Sequence, residues 1–177
     1  RDNIHASPTT ISSRCAALRH VLDTFTDFEP VAHLANFAIA LAVSTDTPAT
    51  TLAEYIALAR SKPVFTNYGS AAAGSIPHFL GVMLARETML NLVHIPYKGT
   101  APMLQALAGG EIKAGIGTIA DIGGLVRGGK ARMLAVASTK RSSQFSSVPT
   151  FREAGVNLEG SGWYAIYAPG KTPREEI

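Results

Sequence analysis

The chain has 177 residues, 46% of them hydrophobic and 16% charged, with a formal net charge of +3, which suits one or two compact α/β lobes with a real core. The slight excess of base is spread along the chain rather than gathered in a patch, so nothing points to nucleic-acid binding. Cys15 is the single cysteine and leaves no internal disulfide to form, and the longest apolar run, Ala35 to Val43, falls short of a bilayer span, which takes about 20 residues.

In chain order, residues 1–30 are polar and irregular, and Phe28 to Val43 reads as strand. Cys15, between Arg14 and Arg19, is a poor setting for a nucleophile. Thr51-Leu-Ala-Glu54 is a capping box, and Leu52, Ile56 and Ala59 give one apolar face to the helix that follows, before Pro63. Val64 to Tyr68 is predicted as a short buried strand, and Ser75 as the cap of a helix with Pro77 in its first turn and Ile76, Leu80, Met83 and Leu84 on its inner side. Leu92 to Ile95 is the next strand; Thr100 caps a helix carrying Leu104 and Leu107 and ended by Gly109-Gly110. Ile112 to Ile116 is a strand, Asp121 caps a short helix ending at Gly128-Gly129, and Met133 to Ala137 is a further strand. Thr150-Phe-Arg-Glu153 repeats the capping-box signature before Gly155, and Trp163 to Ala168 is strand-like. Thr172 to Glu176 reads as a helix start, and the chain begins at Arg1 and stops at Ile177 one turn into that helix, so a longer parent protein is expected.

Short strands alternating with helices predict parallel β–α–β units in a doubly wound sheet. Ligands of such sheets sit beyond the carboxyl ends of the strands, so loops 69–75, 96–100 and 117–121 are expected to share a cleft. The first loop, within Tyr68-Gly-Ser-Ala-Ala-Ala-Gly-Ser75, is the most informative. A strand, a small-residue loop and a helix start make an anion cradle in which backbone N–H groups and the helix dipole favour negative charge. Ser70 and Ser75 would supply hydroxyl and N–H contacts, and Ala71, Ala72, Ala73 and Gly74 backbone amides and space. The same residues also suit a tight turn for steric reasons alone. Gly69 to Gly74 has the spacing of a nucleotide P-loop, but Ser75 and Ile76 stand where its lysine and Ser/Thr belong, so a carboxylate fits better than a nucleotide.

Other candidates carry a structural reading beside the functional one. Thr118 is a ligand contact or a turn hydroxyl, Asp121 a helix cap before a ligand group, and Tyr97 and Lys98 line the cleft or, for Lys98, remain a solvated surface cation. His78 is a packed structural histidine before it is a ligand contact, and Trp163 is core or hinge packing before it is a stacking platform. The histidines at 5, 20, 33, 78 and 94 show no metal-ligand spacing, so no metal or cofactor is expected, and no G-x-S-x-G elbow is present.

Tyr68-Gly-Ser-x-x-x-Gly-Ser-x-x-His78, His94-Ile-Pro-Tyr-Lys-Gly99, Gly129-Lys-Ala-Arg-Met-Leu-Ala-Val136, Val148-Pro-Thr-x-x-Glu-Ala-Gly155 and Trp163 to Pro173 occur in order. Together they resemble the Bug proteins, the solute-binding receptors of the tripartite tricarboxylate transporter family. The resemblance implies a type II periplasmic-binding-protein fold: two α/β lobes with a ligand in the cleft and hinge closure. It also implies an exported bacterial receptor without enzymatic activity, which captures a small carboxylate and docks on a membrane permease from the periplasm, with no insertion of its own into the membrane. Residues 1–43 would be a remnant of lobe one with the interlobe strand, 44–163 a whole lobe two, and 164–177 the return to lobe one. Ser7 is carried over as a lobe-one contact to the ligand. Two departures stand out: Ala72 replaces a frequent Gly, and Gly117-Thr118 replace a frequent Asp-Asn. Without that acid, a plain organic acid is favoured over an amino acid. The rivals are a ligand-sensing domain of a regulator, which shares the two-lobe plan, and a Ser-dependent hydrolase or transferase using the Gly/Ser loop as an oxyanion hole.

Overall fold

A computed structural model describes residues 28–176. Ser7 and Cys15, like the rest of the expected lobe-one remnant before residue 28, lie outside them. The chain divides into two compact units: Phe37–Gly162 and, among the described residues, 28–36 with 163–176.

The larger unit is built on β1 (Phe28–Ser44), which is apolar at every position from Phe37 to Val43. Alternation sends Ile39, Leu41 and Val43 to one face of the sheet and Ala40 and Ala42 to the other, and all five are buried, so helices must cover both faces. α1 (Leu52–Ser61) and α2 (Ile76–Thr88) cover the first, where Leu52, Tyr55, Leu80 and Leu84 join Tyr68 and Phe151. α3 (Thr100–Ala108) and α4 (Ile119–Arg127) cover the second with Met103, Leu107 and Ile122. The other strands are β2 (Asn67–Ser70), β3 (Val93–Pro96), β4 (Ala114–Thr118), β5 (Ala131–Val136) and β6 (Ser161–Pro169). The sheet order is β3-β2-β4-β1-β5, with β6 paired to β1 off that path.

The parallel reading holds for β3, β2 and β4, with Tyr68 opposite His94 and Gly69 opposite Gly115. β1 departs from it: it runs antiparallel between β4 and β5, placing Ile39 opposite Thr118. The helix-bearing connection that follows β1 leads to β2, which is not its neighbour, with β4 lying between the two.

Local differences have local causes. Residues 63–65 form a 3-10 turn, with Thr66 Oγ1 donating to the Pro63 carbonyl at 2.7 Å, and β2 therefore starts at Asn67 instead of Val64. β4 likewise starts at Ala114, two residues later than expected. α2 buries Leu80, Gly81, Leu84 and Thr88, whereas Ile76 and Met83 are 43% and 46% exposed, so its inner face is turned relative to the reading from apolar spacing. Thr100 is the first residue of α3 rather than its cap; Gly99, at φ 107, holds the cap position. Asp121 is not the cap of α4, which is Thr118. At 150–153 both capping-box bonds form, Thr150 N–H to Glu153 Oε2 (2.8 Å) and Glu153 N–H to Thr150 Oγ1 (3.1 Å), yet the segment remains a turn and Gly155 at φ 85 closes it.

In the smaller unit, Phe28, Leu34, Trp163, Tyr164 and Ile166 are all exposed large apolar side chains. Trp163 is therefore not a core residue of this chain. Residues 174–176 form a 3-10 turn in place of the expected helix start.

Candidate functional site

Three loops meet around a hollow of about 290 Å³ in the larger unit, beyond the carboxyl ends of β2 and β4. Ala71, Ser75, Ile76 and Pro77 come from the β2–α2 connection, Thr100 and Met103 from α3, Gly117, Thr118 and Asp121 from the β4–α4 junction, and Phe37 from β1. These are the loops the strand order nominates. Among the candidates, Ala71, Ser75, Thr118 and Asp121 line the hollow. Phe37, Ile76, Pro77, Thr100, Met103 and Gly117 do so without having been singled out as contacts. The apolar wall they make belongs to the cores of α2 and α3, and its sequence signal is indistinguishable from ordinary packing.

The β2–α2 loop is shaped by bonds that turn its carbonyls and hydroxyls inward. Ser75, in extended backbone, caps α2 by accepting from His78 N–H (3.4 Å), and its hydroxyl donates to the Ala72 carbonyl (2.7 Å). Ser70 is fully buried; its hydroxyl donates to the same carbonyl (3.1 Å) and lies 2.7 Å from His94 Nε2. The Ala71 carbonyl takes the Gly99 N–H at 2.9 Å. Gly74, at φ 76, makes the bend that side chains resist, and its N–H donates to His78 Nδ1 at 3.0 Å. The amides of Ala71, Ala72, Ala73 and Ser75 have no partner among the described residues. The loop is set at the N-terminal, positive end of a 13-residue helix with no acid in its first turn, an arrangement with the chemistry to accept an anion.

Ser70 thus differs from its expected role. Its hydroxyl is committed within the fold and reaches the site only by holding Ala72. Ala72, Ala73 and Gly74 are exposed but stand outside the lining of the hollow. Tyr97 packs its ring against the second core cluster, where burial pushes the phenol pKa upward with Glu111 adding to it, and Lys98 is exposed; neither lines the hollow.

Behind the loop the rings form a stack. His78 and His94 lie 4.0 Å apart at 21°, and Tyr68 tilts against His94 at 5.1 Å. Burial, with a smaller contribution from His78, lowers the His94 pKa. Tyr68 donates to the His78 carbonyl at 3.1 Å, and burial pushes its phenol up to about 12. Its ring lies flat across Gly81, where any Cβ would overlap it, so this glycine lets α2 sit close on β2.

At the β4–α4 junction, Thr118 Oγ1 accepts from Asp121 N–H (3.1 Å) and donates to Asp121 Oδ2 (2.7 Å). Gly117 has ordinary room for a Cβ, 3.4 Å from Met103 Cε and 3.5 Å from Ile122 Cδ1. The carboxylate missing at 117 is supplied one helical turn on, by Asp121. This alters the inference drawn from Gly117, because the hollow does contain an acid.

Comparison with known proteins finds one family. The model for the tripartite tricarboxylate transporter family receptor matches residues 15–177. A UPF0065 protein of Cupriavidus necator is 35% identical over 150 residues, covering 85% of this chain and 46% of that protein. An R. palustris protein solved with adipate superposes with a TM-score of 0.80 at 37% identity, over 84% of this chain and 50% of that one. MatC from Rhodopseudomonas palustris, with bound malate, gives 0.77 at 29%, over 84% and 51%. The chain spans about half the length of the curated relatives it matches.

Proposed function

The chain belongs to the tripartite tricarboxylate transporter receptor family, and from that membership we propose that its parent protein captures a small organic carboxylate at the β2–α2 loop. The observation that carries the reading is the set of open amides at the start of α2, beside a hollow with apolar walls. One carboxylate sits on the amides of Ala71 to Ala73 and Ser75, and the ligand chain runs along Phe37, Ile76, Pro77 and Met103. Thr118 and Asp121 on the other wall meet its far end, with Asp121 suited to a hydroxyl. Charge-assisted hydrogen bonds contribute about 1.5–3 kcal/mol each, so three or four approach the roughly 8 kcal/mol of a micromolar complex. The adipate and malate of the two neighbours each carry a carboxylate for the amide end, and malate also carries a hydroxyl.

The larger unit, Phe37–Gly162, then acts as lobe two in place of the expected 44–163, since residues 37–43 lie within its sheet, and the remainder belongs to lobe one, from which Ser7 would reach the ligand. The family supports closure of the lobes, periplasmic location and docking on a membrane permease as parts of this reading. An enzyme is disfavoured. Ser70 and His94 have the 2.7 Å spacing of a nucleophile and base, but Ser70 is fully buried and its hydrogen is committed to Ala72.

The test uses the full-length protein. A thermal-shift screen against mono-, di- and tricarboxylates and amino acids identifies the ligand; at 100 times its dissociation constant it should stabilise by about 2.7 kcal/mol. Ser70→Ala with Ser75→Ala should then weaken it about tenfold or more by calorimetry, or about 1.4 kcal/mol. Unchanged affinity removes the loop from the site.

A further inference from the structure

Hydrogen accounting in the stack behind the loop fixes something the distances alone do not. The Ala72 carbonyl can only accept, and it lies within reach of both Ser70 Oγ and Ser75 Oγ. Ser70 has one hydroxyl hydrogen and gives it to that carbonyl, so its oxygen is left to accept at the 2.7 Å contact with His94 Nε2. With the Ser70 hydrogen on Ala72, the proton of His94 is on Nε2. His78 is set by the opposite demand: Gly74 N–H donates to its Nδ1, which must be bare. Its proton is on Nε2 as well. The two rings stack at 4.0 Å, where a second positive charge would be repelled. From β2 the groups facing them are Tyr68 and Ser70, and from α2 Phe79, all uncharged. Burial keeps His94 below the ordinary histidine range.

We infer that His94 and His78 are positioning residues of the ligand loop: as two neutral Nε2–H imidazoles they hold Ser70 and Gly74, and so keep the Ala71–Ala73 amides turned outward. His94 acts on the loop through Ser70 and Ala72, at one end. His78 acts through Gly74, at the other. Neither ring contributes to the lining of the hollow, so neither touches ligand in this arrangement. The inference takes the loop as the anion receptor proposed above, but the brace itself is a statement about tautomers and loop order that holds with or without ligand.

The experiment is nuclear magnetic resonance on full-length, isotope-labelled protein at neutral pH without ligand. Long-range proton–nitrogen spectra should show His78 and His94 protonated at Nε2 alone. His94→Gln places an amide N–H where Nε2–H stood and should keep the 71–74 amides near the rigid order parameter of about 0.85, whereas His94→Leu should drop them below about 0.6 while the amides of Tyr68 and Gly69 stay rigid. A role in packing alone would lower the melting temperature without that confined loosening and without rescue by Gln. An Nδ1–H tautomer at His94, a rigid loop in the Leu variant, or a Gln variant as loose as Leu overturns the brace. Adipate and malate are titrated in parallel. A wild type that takes up neither counts against the carboxylate reading, while the spectra alone judge the brace.

Discussion

Two helices begin at the same hollow, each on a hydroxyl cap, and they are not equivalent. α4 starts at Thr118, and the third residue of the helix is Asp121, whose carboxylate accepts the cap hydroxyl while its N–H returns to it. The positive end of that helix already has an anion of its own. α2 starts at Ser75, and the residue in the same place is His78, a ring whose free nitrogen accepts from Gly74. Nothing negative stands in its first turn, and amides of the loop before it have no partner among the described residues. A helix dipole alone therefore does not make a receptor. What matters is whether the chain has filled that end with its own acid.

The strongest way to break the difference is to transplant it. His78→Asp would give α2 the capping acid of α4 and should weaken carboxylate binding by about 2 kcal/mol, roughly thirtyfold, from dipole neutralisation and like-charge repulsion. His78→Asn, which keeps an acceptor for Gly74, should stay within about threefold by the same calorimetry. Equal affinities for the two variants would show that the anion is not seated at α2.

The seats of the two helices differ as well. A methyl at Gly81 runs into Tyr68, which is 2% exposed and has nowhere to go; one at Gly123 comes to 2.9 Å from the end of the Phe145 ring, which is only partly buried. In denaturant unfolding, Gly81→Ala should lose about 2 kcal/mol and Gly123→Ala less than about 1. A reversed order would mean that α2 is not clamped by Tyr68.

Asp121→Asn sharpens the comparison from the other side by emptying the α4 end. Adipate should bind about fivefold tighter at low salt, a gain of about 1 kcal/mol. Weaker binding would make the acid an attractive partner of the ligand.

The smallest effect is on pH. Because His94 is held below the ordinary value of 6.5, chiefly by burial, the unfolded chain takes up the proton more readily than the folded one. Its contribution to stability is present above 6.5 and lost as pH falls through the depressed folded value. The unfolding midpoint should decline on acidification, with a shallower decline in His94→Gln. Identical pH profiles would detach this ring from the effect.

Much of this was legible in the residues. Thr51 with Glu54 and Ser75 with Pro77 have local meanings that do not depend on distant contacts, and the structure realises both. Thr150 with Glu153 shows the boundary of that logic: the same bonds close, but no helix follows. The active half of the loop was harder to see. Ser70 reads as an available hydroxyl until His94, 24 residues away, is brought beside it by the pairing of β2 with β3.

Sequence by itself determined the α/β alternation and the caps of α1 and α2, because caps, turns and glycine bends are set by neighbours a few residues apart. Only the tertiary structure decided the direction of β1, the inner face of α2, the commitment of Ser70 and the approach of Asp121 to the hollow. Those depend on which strands pair and which rings stack, and pairing and stacking join residues whose separation along the chain carries no signal of their contact.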